Sequence, residues 1–272
     1  MRLASSSTVL GWLAAAAVLC GGGPATASPR VFSLDQCADQ YVLALSPRPA
    51  IAGLSMRARN ADSDLRAMAL GLPLRRATTE SVLAAQPQIV VREWGGDARL
   101  VAALRRRHIR VVQLGDATDF AGVAANIRKL AAALGQAPAG EALIGRMQRK
   151  LAAAKGAWAG AGALYLTPGG ETAGRGTLVG AILAAAGLAD LAPHAGYASL
   201  SLERLIADPP SAMVLGFFRD LAAGNQHWTL AGNGRFRAIA KRRSIASLPG
   251  KLVGCPTWFA ADAAVELAQA RR

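Results

Sequence analysis

The chain has 272 residues, 52% of them hydrophobic but only 5% aromatic, and carries 31 Lys and Arg against 17 Asp and Glu, a formal charge of +14. That length and apolar content suffice for one large or two small packed domains, which excludes disorder for most of the chain. Cys20, Cys37 and Cys255 are too few and too far apart for a disulfide scaffold or a zinc knuckle.

Residues 1–27 carry Arg2, an apolar run from Val9 to Cys20 and then Ala25-Thr26-Ala27, the order of a secretory signal with its cleavage site. An apolar helix of that length covers about 18 Å, short of the ~30 Å of a bilayer's hydrocarbon core. Cleavage after Ala27 and export are therefore expected.

Past that point, short apolar runs follow turn signals at Val31 to Leu34, Ile51 to Leu54, Ile89 to Val91 and Val111 to Leu114. Ala-rich helical patterns at Asp35 to Leu45 and Ala98 to Arg107 separate them. Strands alternating with helices predict βα units and a mostly parallel sheet. From Asp119 to Trp158 the pattern is helix only, broken at Gly135 to Pro138; Ala142, Leu143, Met147, Leu151 and Ala154 then recur near helical period. One long helix is expected from Ala139 to about Ala157, started by Pro138. Strand signals resume at Ala163 to Leu166, Met213 to Gly216 and Leu252 to Gly254. The expected organisation is a signal over 1–27, an N-terminal lobe over 28–118, a helical spacer over 119–159 and a C-terminal lobe over 160–272.

The two halves echo each other. Glu80 lies seven residues before Pro87 and ten before Val90 in a strand, the spacing by which Glu203 precedes Pro210 and Met213. Each Glu falls in the first turn of a short helix behind a capping residue, Thr78 or Ser201, where the helix dipole favours negative charge by ~0.3 to 1 kcal/mol. One copy alone would signify only helix stability. Two copies, one per αβ unit, point to a bilobal protein with matched acidic points.

Together with Arg30 to Gln36, Trp94-Gly95-Gly96-Asp97, Tyr165-Leu166-Thr167, Thr172-Ala173-Gly174 and the helix end at Ala184 to Gly187, this order resembles the class III substrate-binding proteins of ABC importers. The resemblance covers essentially the whole mature chain. It implies an α/β fold of two Rossmann-like lobes with mostly parallel sheets, joined by one long rigid α-helix. It further implies a periplasmic, monomeric carrier of a metal chelate (ferric siderophore, haem or cobalamin) that docks on a permease through Glu80 and Glu203.

In open parallel sheets ligands bind beyond the C-terminal strand ends. The expected cleft loops contain Asp35, Gln36, Met56, Arg57, Arg59, Arg92, Trp94, Glu171, Arg175, Phe217 and Arg219, continuing toward Trp228. The five arginines can fork onto carboxylate, catecholate or phosphate oxygens, and the aromatics supply flat apolar area. By resemblance to the cobalamin-binding members, Trp94 lies one place off a cleft tryptophan and Tyr197 takes the place of a second cleft aromatic. Glu171 and Arg57 stand where that group carries aromatics, which favours an anionic or polar ferric chelate, with cobalamin close behind.

Other readings are weaker. Direct metal binding needs converging His and carboxylates, and the chain has only His108, His194 and His227. No cofactor is expected. The dispersed arginine runs at Arg75, Arg105 to Arg107 and Lys241 to Arg243 do not form the single stripe that nucleic acid requires. The enzyme alternative is a secreted hydrolase or phosphate-site protein. No G-x-S-x-G, H-E-x-x-H or P-loop supports it, and Cys37 with His194 is its one conceivable dyad. Spacing leaves the pairing of Cys37 and Cys255 open; they fall in different lobes, where a bridge would lock the cleft, so free thiols are expected.

Overall fold

The computed structural model describes residues 28–220 and 229–271. The expected signal over 1–27, together with His227 and Trp228, lies outside the described residues.

In the first half, β1 (Val31–Ser33), α1 (Gln36–Leu45), β2 (Ile51–Ser55), β3 (Leu74–Arg75), α2 (Thr79–Ala84), β4 (Ile89–Arg92), α3 (Ala98–Arg106) and β5 (Arg110–Gln113) follow in order. Their strands form one five-stranded sheet in the order β3-β2-β1-β4-β5, parallel throughout. Two helices, α4 (Phe120–Ala133) and α5 (Ala137–Ala154), then lead to the second half. There, β6 (Gly162–Leu166), β7 (Glu171–Ala173), α6 (Leu178–Ala185), β8 (Ala189–Asp190), β9 (Tyr197–Ser199), α7 (Leu202–Ala207), β10 (Met213–Gly216), α8 (Gly234–Arg243), β11 (Ser244–Leu248), α9 (Gly250–Val253) and α10 (Ala260–Gln269) complete the chain. A four-stranded parallel sheet runs β11-β10-β6-β8, with an antiparallel β7-β9 ribbon beside it.

The central strands of both sheets are covered on both faces, which explains why they are short, largely unbroken apolar runs rather than alternating ones. Along β4, Ile89 and Val91 enter the large core that also holds Tyr41, Ile127 and Ile144, while Val90 turns to Phe32, Leu100 and Leu104 on the opposite face. Along β6, Ala163 and Tyr165 join that same large core, and Leu164 and Leu166 face Leu205, Met213 and Phe236. The large core thus runs continuously through both halves, with α5 packed against α4 and α10. The helix starts are written in side chains: Asp35, Thr78, Asp97, Asp119, Thr177 and Ser201 each accept an N–H of the first turn.

Three expectations need correction. Residues Leu252 to Gly254 are not a strand: Pro249 opens the short helix α9, and the last strand is Ser244–Leu248. The sequence of β11 carries a single β-branched residue, Ile245, so its strand character comes from pairing with β10 rather than from propensity. The long helix begins at Ala137 and ends at Ala154 rather than near Ala157. Finally, Cys37 and Cys255 are not free thiols but form a disulfide, with Cα atoms 5.3 Å apart. The segment after α9 folds back across α1, so the two cysteines meet although their sheets belong to different halves. In the chain-entropy view, a closure spanning 218 residues restrains the unfolded chain by ~5 kcal/mol.

Candidate functional site

The strand order places a topological switch point between β1 and β4, because the chain leaves β1 toward β2 on one side and returns to β4 on the other. Loops diverge there and leave a crevice at the C-terminal strand ends. Asp35 sits at the end of β1 with 1% of its surface exposed. Its Oδ1 accepts from the Ala38 N–H at 2.9 Å, and its Oδ2 accepts from the N–H groups of Glu93 at 2.8 Å and Gly95 at 2.9 Å. The carboxylate therefore starts α1 and clamps the loop after β4. Gly95 lies so close to the end of β1 that a Cβ there would come within 2.5 Å of the Leu34 carbonyl oxygen. This close approach holds Trp94 out of the loop, 52% exposed.

Trp94 borders three adjoining cavities. The first, about 380 Å³, lies between the halves; Glu93, Trp94, Asp116 and Thr118 form one wall, and Gly176, Thr177 and Tyr197 the other. Cys37, Gly254 and Cys255 close it where the halves meet. The second, about 300 Å³, shares those three residues and Trp94 and adds Gln36, Arg57, Asp62 and Phe217. The third, about 470 Å³, opens on the N-terminal half among Asp35, Met56, Arg57, Arg75, Arg76 and Trp94.

The cleft is electrically divided. Arg57, Arg75 and Arg76 border its N-terminal end. Arg57 has one loose pair, to Asp62 at 4.0 Å, and among the described residues no carboxylate lies within 4.0 Å of Arg75 or Arg76. Glu93 and Asp116 border the other end. Partial burial first, then the charges of Asp35 and Asp116, push the Glu93 carboxyl up to about 7. Across from them the Tyr197 side chain is largely exposed, yet its pKa is raised, first by desolvation and then by the Asp116 charge. Both residues line the first cavity.

The structure thus brings together Asp35, Gln36, Met56, Arg57, Trp94, Tyr197 and Phe217. The remaining sequence candidates stand apart. Arg59 donates to the carbonyls of Ala69 and Leu72 at 3.2 and 2.9 Å and braces the loop after β2. Arg92 donates to the Trp94 carbonyl at 3.2 Å. Glu171 lies on β7, where its carboxylate accepts from the Thr167 hydroxyl, and Arg219 donates to the Ser247 carbonyl at 3.3 Å. Arg175 is exposed and lines none of the three cavities. Sequence reasoning did not single out Glu93, Asp116, Arg75 or Arg76 as site residues. Applying the strand-end rule to the residues after β5 would have found Asp116.

One set of metal-type ligand atoms converges among the described residues, with those of Asp35, Cys37 and Glu93 within 4.8 Å of one another. The Cys37 sulfur is bonded to Cys255 and the Asp35 oxygens hold backbone donors, which leaves Glu93 alone. The same disulfide removes the nucleophile from the Cys37 and His194 dyad.

Two α/β halves, a long connecting helix and a crevice between switch-point loops define a two-lobed solute-binding fold. A family model for periplasmic binding proteins matches residues 31–217, and the chain belongs to that family. Among solved structures, the periplasmic heme-binding protein RhuT from Roseiflexus sp. RS-1 in apo form superposes with a TM-score of 0.69 at 22% identity, covering 90% of this chain and 98% of that one. A periplasmic heme binding protein from Pseudomonas aeruginosa gives 0.67 at 24% identity, with 89% and 92% covered. The periplasmic vitamin B12 binding protein BtuF of Vibrio cholerae gives 0.66 at 16%, with 90% and 96% covered. At these identities the likeness establishes the fold. No curated protein sequence matches the chain.

Proposed function

We propose that the protein captures a metal chelate in the periplasm and delivers it to an ABC importer, and that its cargo carries anionic groups. A ferric siderophore fits this best, with cobalamin second and haem third. One observation carries the reading: Trp94 and Tyr197 stand on opposite walls of one cavity, and three guanidinium groups border the adjoining end. Aromatic walls offer flat apolar area to a chelate or macrocycle. Guanidinium groups at the rim without a close carboxylate partner favour carboxylate, catecholate or phosphate oxygens over a neutral edge.

Delivery rests on Glu80 and Glu203. Each is exposed in the first turn of a capped helix, α2 in one lobe and α7 in the other. Exposed ion pairs contribute ~0.2 to 1 kcal/mol each, so two of them set register and orientation on a two-subunit permease rather than supplying the docking affinity.

The test is a thermal-shift and tryptophan-quenching panel of ferric enterobactin, ferrichrome, haemin and cyanocobalamin. A ligand at 100 times its Kd adds ~2.7 kcal/mol of stability. Saturable quenching by an anionic chelate, weakened in Arg57→Ala and Arg75→Ala, is expected. A flat response across the panel refutes the cargo assignment. Glu80→Ala with Glu203→Ala should abolish transport and leave Kd unchanged; a weakened Kd would remove the docking role.

A further inference from the structure

Cys37 lies in the first turn of α1, in the lobe built on β1 to β5, and Cys255 follows α9, beyond the last strand of the other lobe. Their disulfide is the centre of a cross-lobe seam. The Tyr41 hydroxyl donates to the Pro256 carbonyl at 2.5 Å, its ring meets Trp258 edge-on at 5.3 Å, and Lys251 pairs with Asp64 at 3.0 Å. Apart from this seam, the chain passes from lobe to lobe once, through α4 and α5. The lobes also share the core packed around that link, so the motion left to them is rotation about it. A covalent attachment away from the link removes that freedom.

The position of the bridge matters because both cysteines, with Trp94, border both of the cavities between the lobes. The bridge sits where the walls converge, so the separation of Trp94 from Tyr197 is tied to it.

We propose that the Cys37–Cys255 disulfide sets the width of the ligand cleft, so that cargo meets a preformed slot. The consequence for cargo rests on the reading of this cleft as the ligand site; the mechanical consequence does not. A preformed site spares the ligand the ordering of two mobile walls. Without the bridge, the lobes keep the Tyr41 contacts and the Lys251–Asp64 pair, and the closed geometry becomes one of several. If it falls to about a tenth of the population, the apparent Kd rises about tenfold.

The experiment uses four forms of the mature chain: bridged, reduced, the Cys37→Ser/Cys255→Ser variant, and reduced protein re-linked through a one-carbon spacer. Ligand-free hydrogen exchange is followed at Glu93, Gly95, Thr177 and Cys255, with Val90 and Leu164 as core references, and solution scattering gives the radius of gyration. The expected result is faster exchange at the four cleft amides and a larger radius in both unbridged forms, unchanged exchange in the core, and recovery on re-linking. Kd for whichever panel chelate binds should rise about tenfold and recover likewise. Equal cleft exchange and equal radius with and without the bridge overturn the proposal. Exchange that rises equally in the core shows global loosening and also overturns it. If the serine variant does not fold, the reduced and re-linked wild-type forms decide. If no chelate binds any form, the cargo assignment fails while ligand-free exchange still judges the bridge.

Discussion

Replacing Asp35 by Asn tests how the cleft is held open. The carboxylate accepts three backbone N–H groups with no exposed surface to relieve them, from Ala38, Glu93 and Gly95. An amide has one accepting oxygen and one donating nitrogen. If the oxygen keeps the Ala38 N–H, the NH2 group is driven against the N–H groups of Glu93 and Gly95. If the amide is turned over, the NH2 group meets the Ala38 N–H, and the helix cap is lost. A lost cap costs about 0.5 to 2 kcal/mol, and each buried donor left without a partner about 1 to 3 kcal/mol. Asp35→Asn should therefore destabilise the protein by roughly 2 to 4 kcal/mol, and Asp35→Ala, which orphans all three donors, by more. Urea denaturation with a shared m-value measures both. Removing the Asp35 charge also removes one of the influences that raise Glu93, so the Glu93 carboxyl, followed by NMR, should titrate below its wild-type value of about 7. A loss below about 1 kcal/mol in Asp35→Asn, or an unmoved Glu93 titration, would refute the clamp.

Asp39 makes stability depend on pH. Burial outweighs the hydrogen bonds from the Ser55 N–H at 2.9 Å and hydroxyl at 2.5 Å, and raises its carboxyl from 3.8 to about 6. The folded protein then holds a proton that the unfolded chain has released, so this contribution is intact below about pH 4 and lost as pH rises through about 6. At 1.36 kcal/mol per pH unit the change is roughly 3 kcal/mol, and it should vanish in Asp39→Asn; an identical pH slope in the two proteins would exclude Asp39 as the source. Glu93 acts in the same direction but is half-exposed, so solvent screening reduces its part. Gly95→Ala places a Cβ 2.5 Å from the Leu34 carbonyl, so a cost of about 1 to 3 kcal/mol and weaker chelate binding through a displaced Trp94 are expected in denaturation and quenching assays. Tyr41→Phe removes the bond to Pro256 but keeps the ring against Trp258; a loss of about 1 kcal/mol with the disulfide intact is the expected calorimetric result.

Much of this protein is written locally. The alternation of apolar runs with helical patterns specified two parallel-sheet halves, because a strand buried on both faces must be apolar throughout, and Thr78 and Ser201 marked helix starts that need only their own first turn. The paired Glu80 and Glu203 segments were legible for the same reason. Their helices, caps and strands lie within a dozen residues. The strand-end rule also led to Trp94 and Arg57, and the family resemblance to Tyr197.

The tertiary structure decided the rest. Short edge strands such as Leu74–Arg75 and Ser244–Leu248 draw their order from a neighbour rather than from propensity. Whether an arginine borders the cleft or braces its own loop, as Arg57 and Arg59 divide those places, depends on side-chain direction at positions two residues apart. Glu93 and Asp116 gain their place from the folding together of separate strand ends. Cys37 and Cys255 are joined because the segment after α9 turns back across α1, and no local pattern encodes a meeting between residues more than two hundred positions apart.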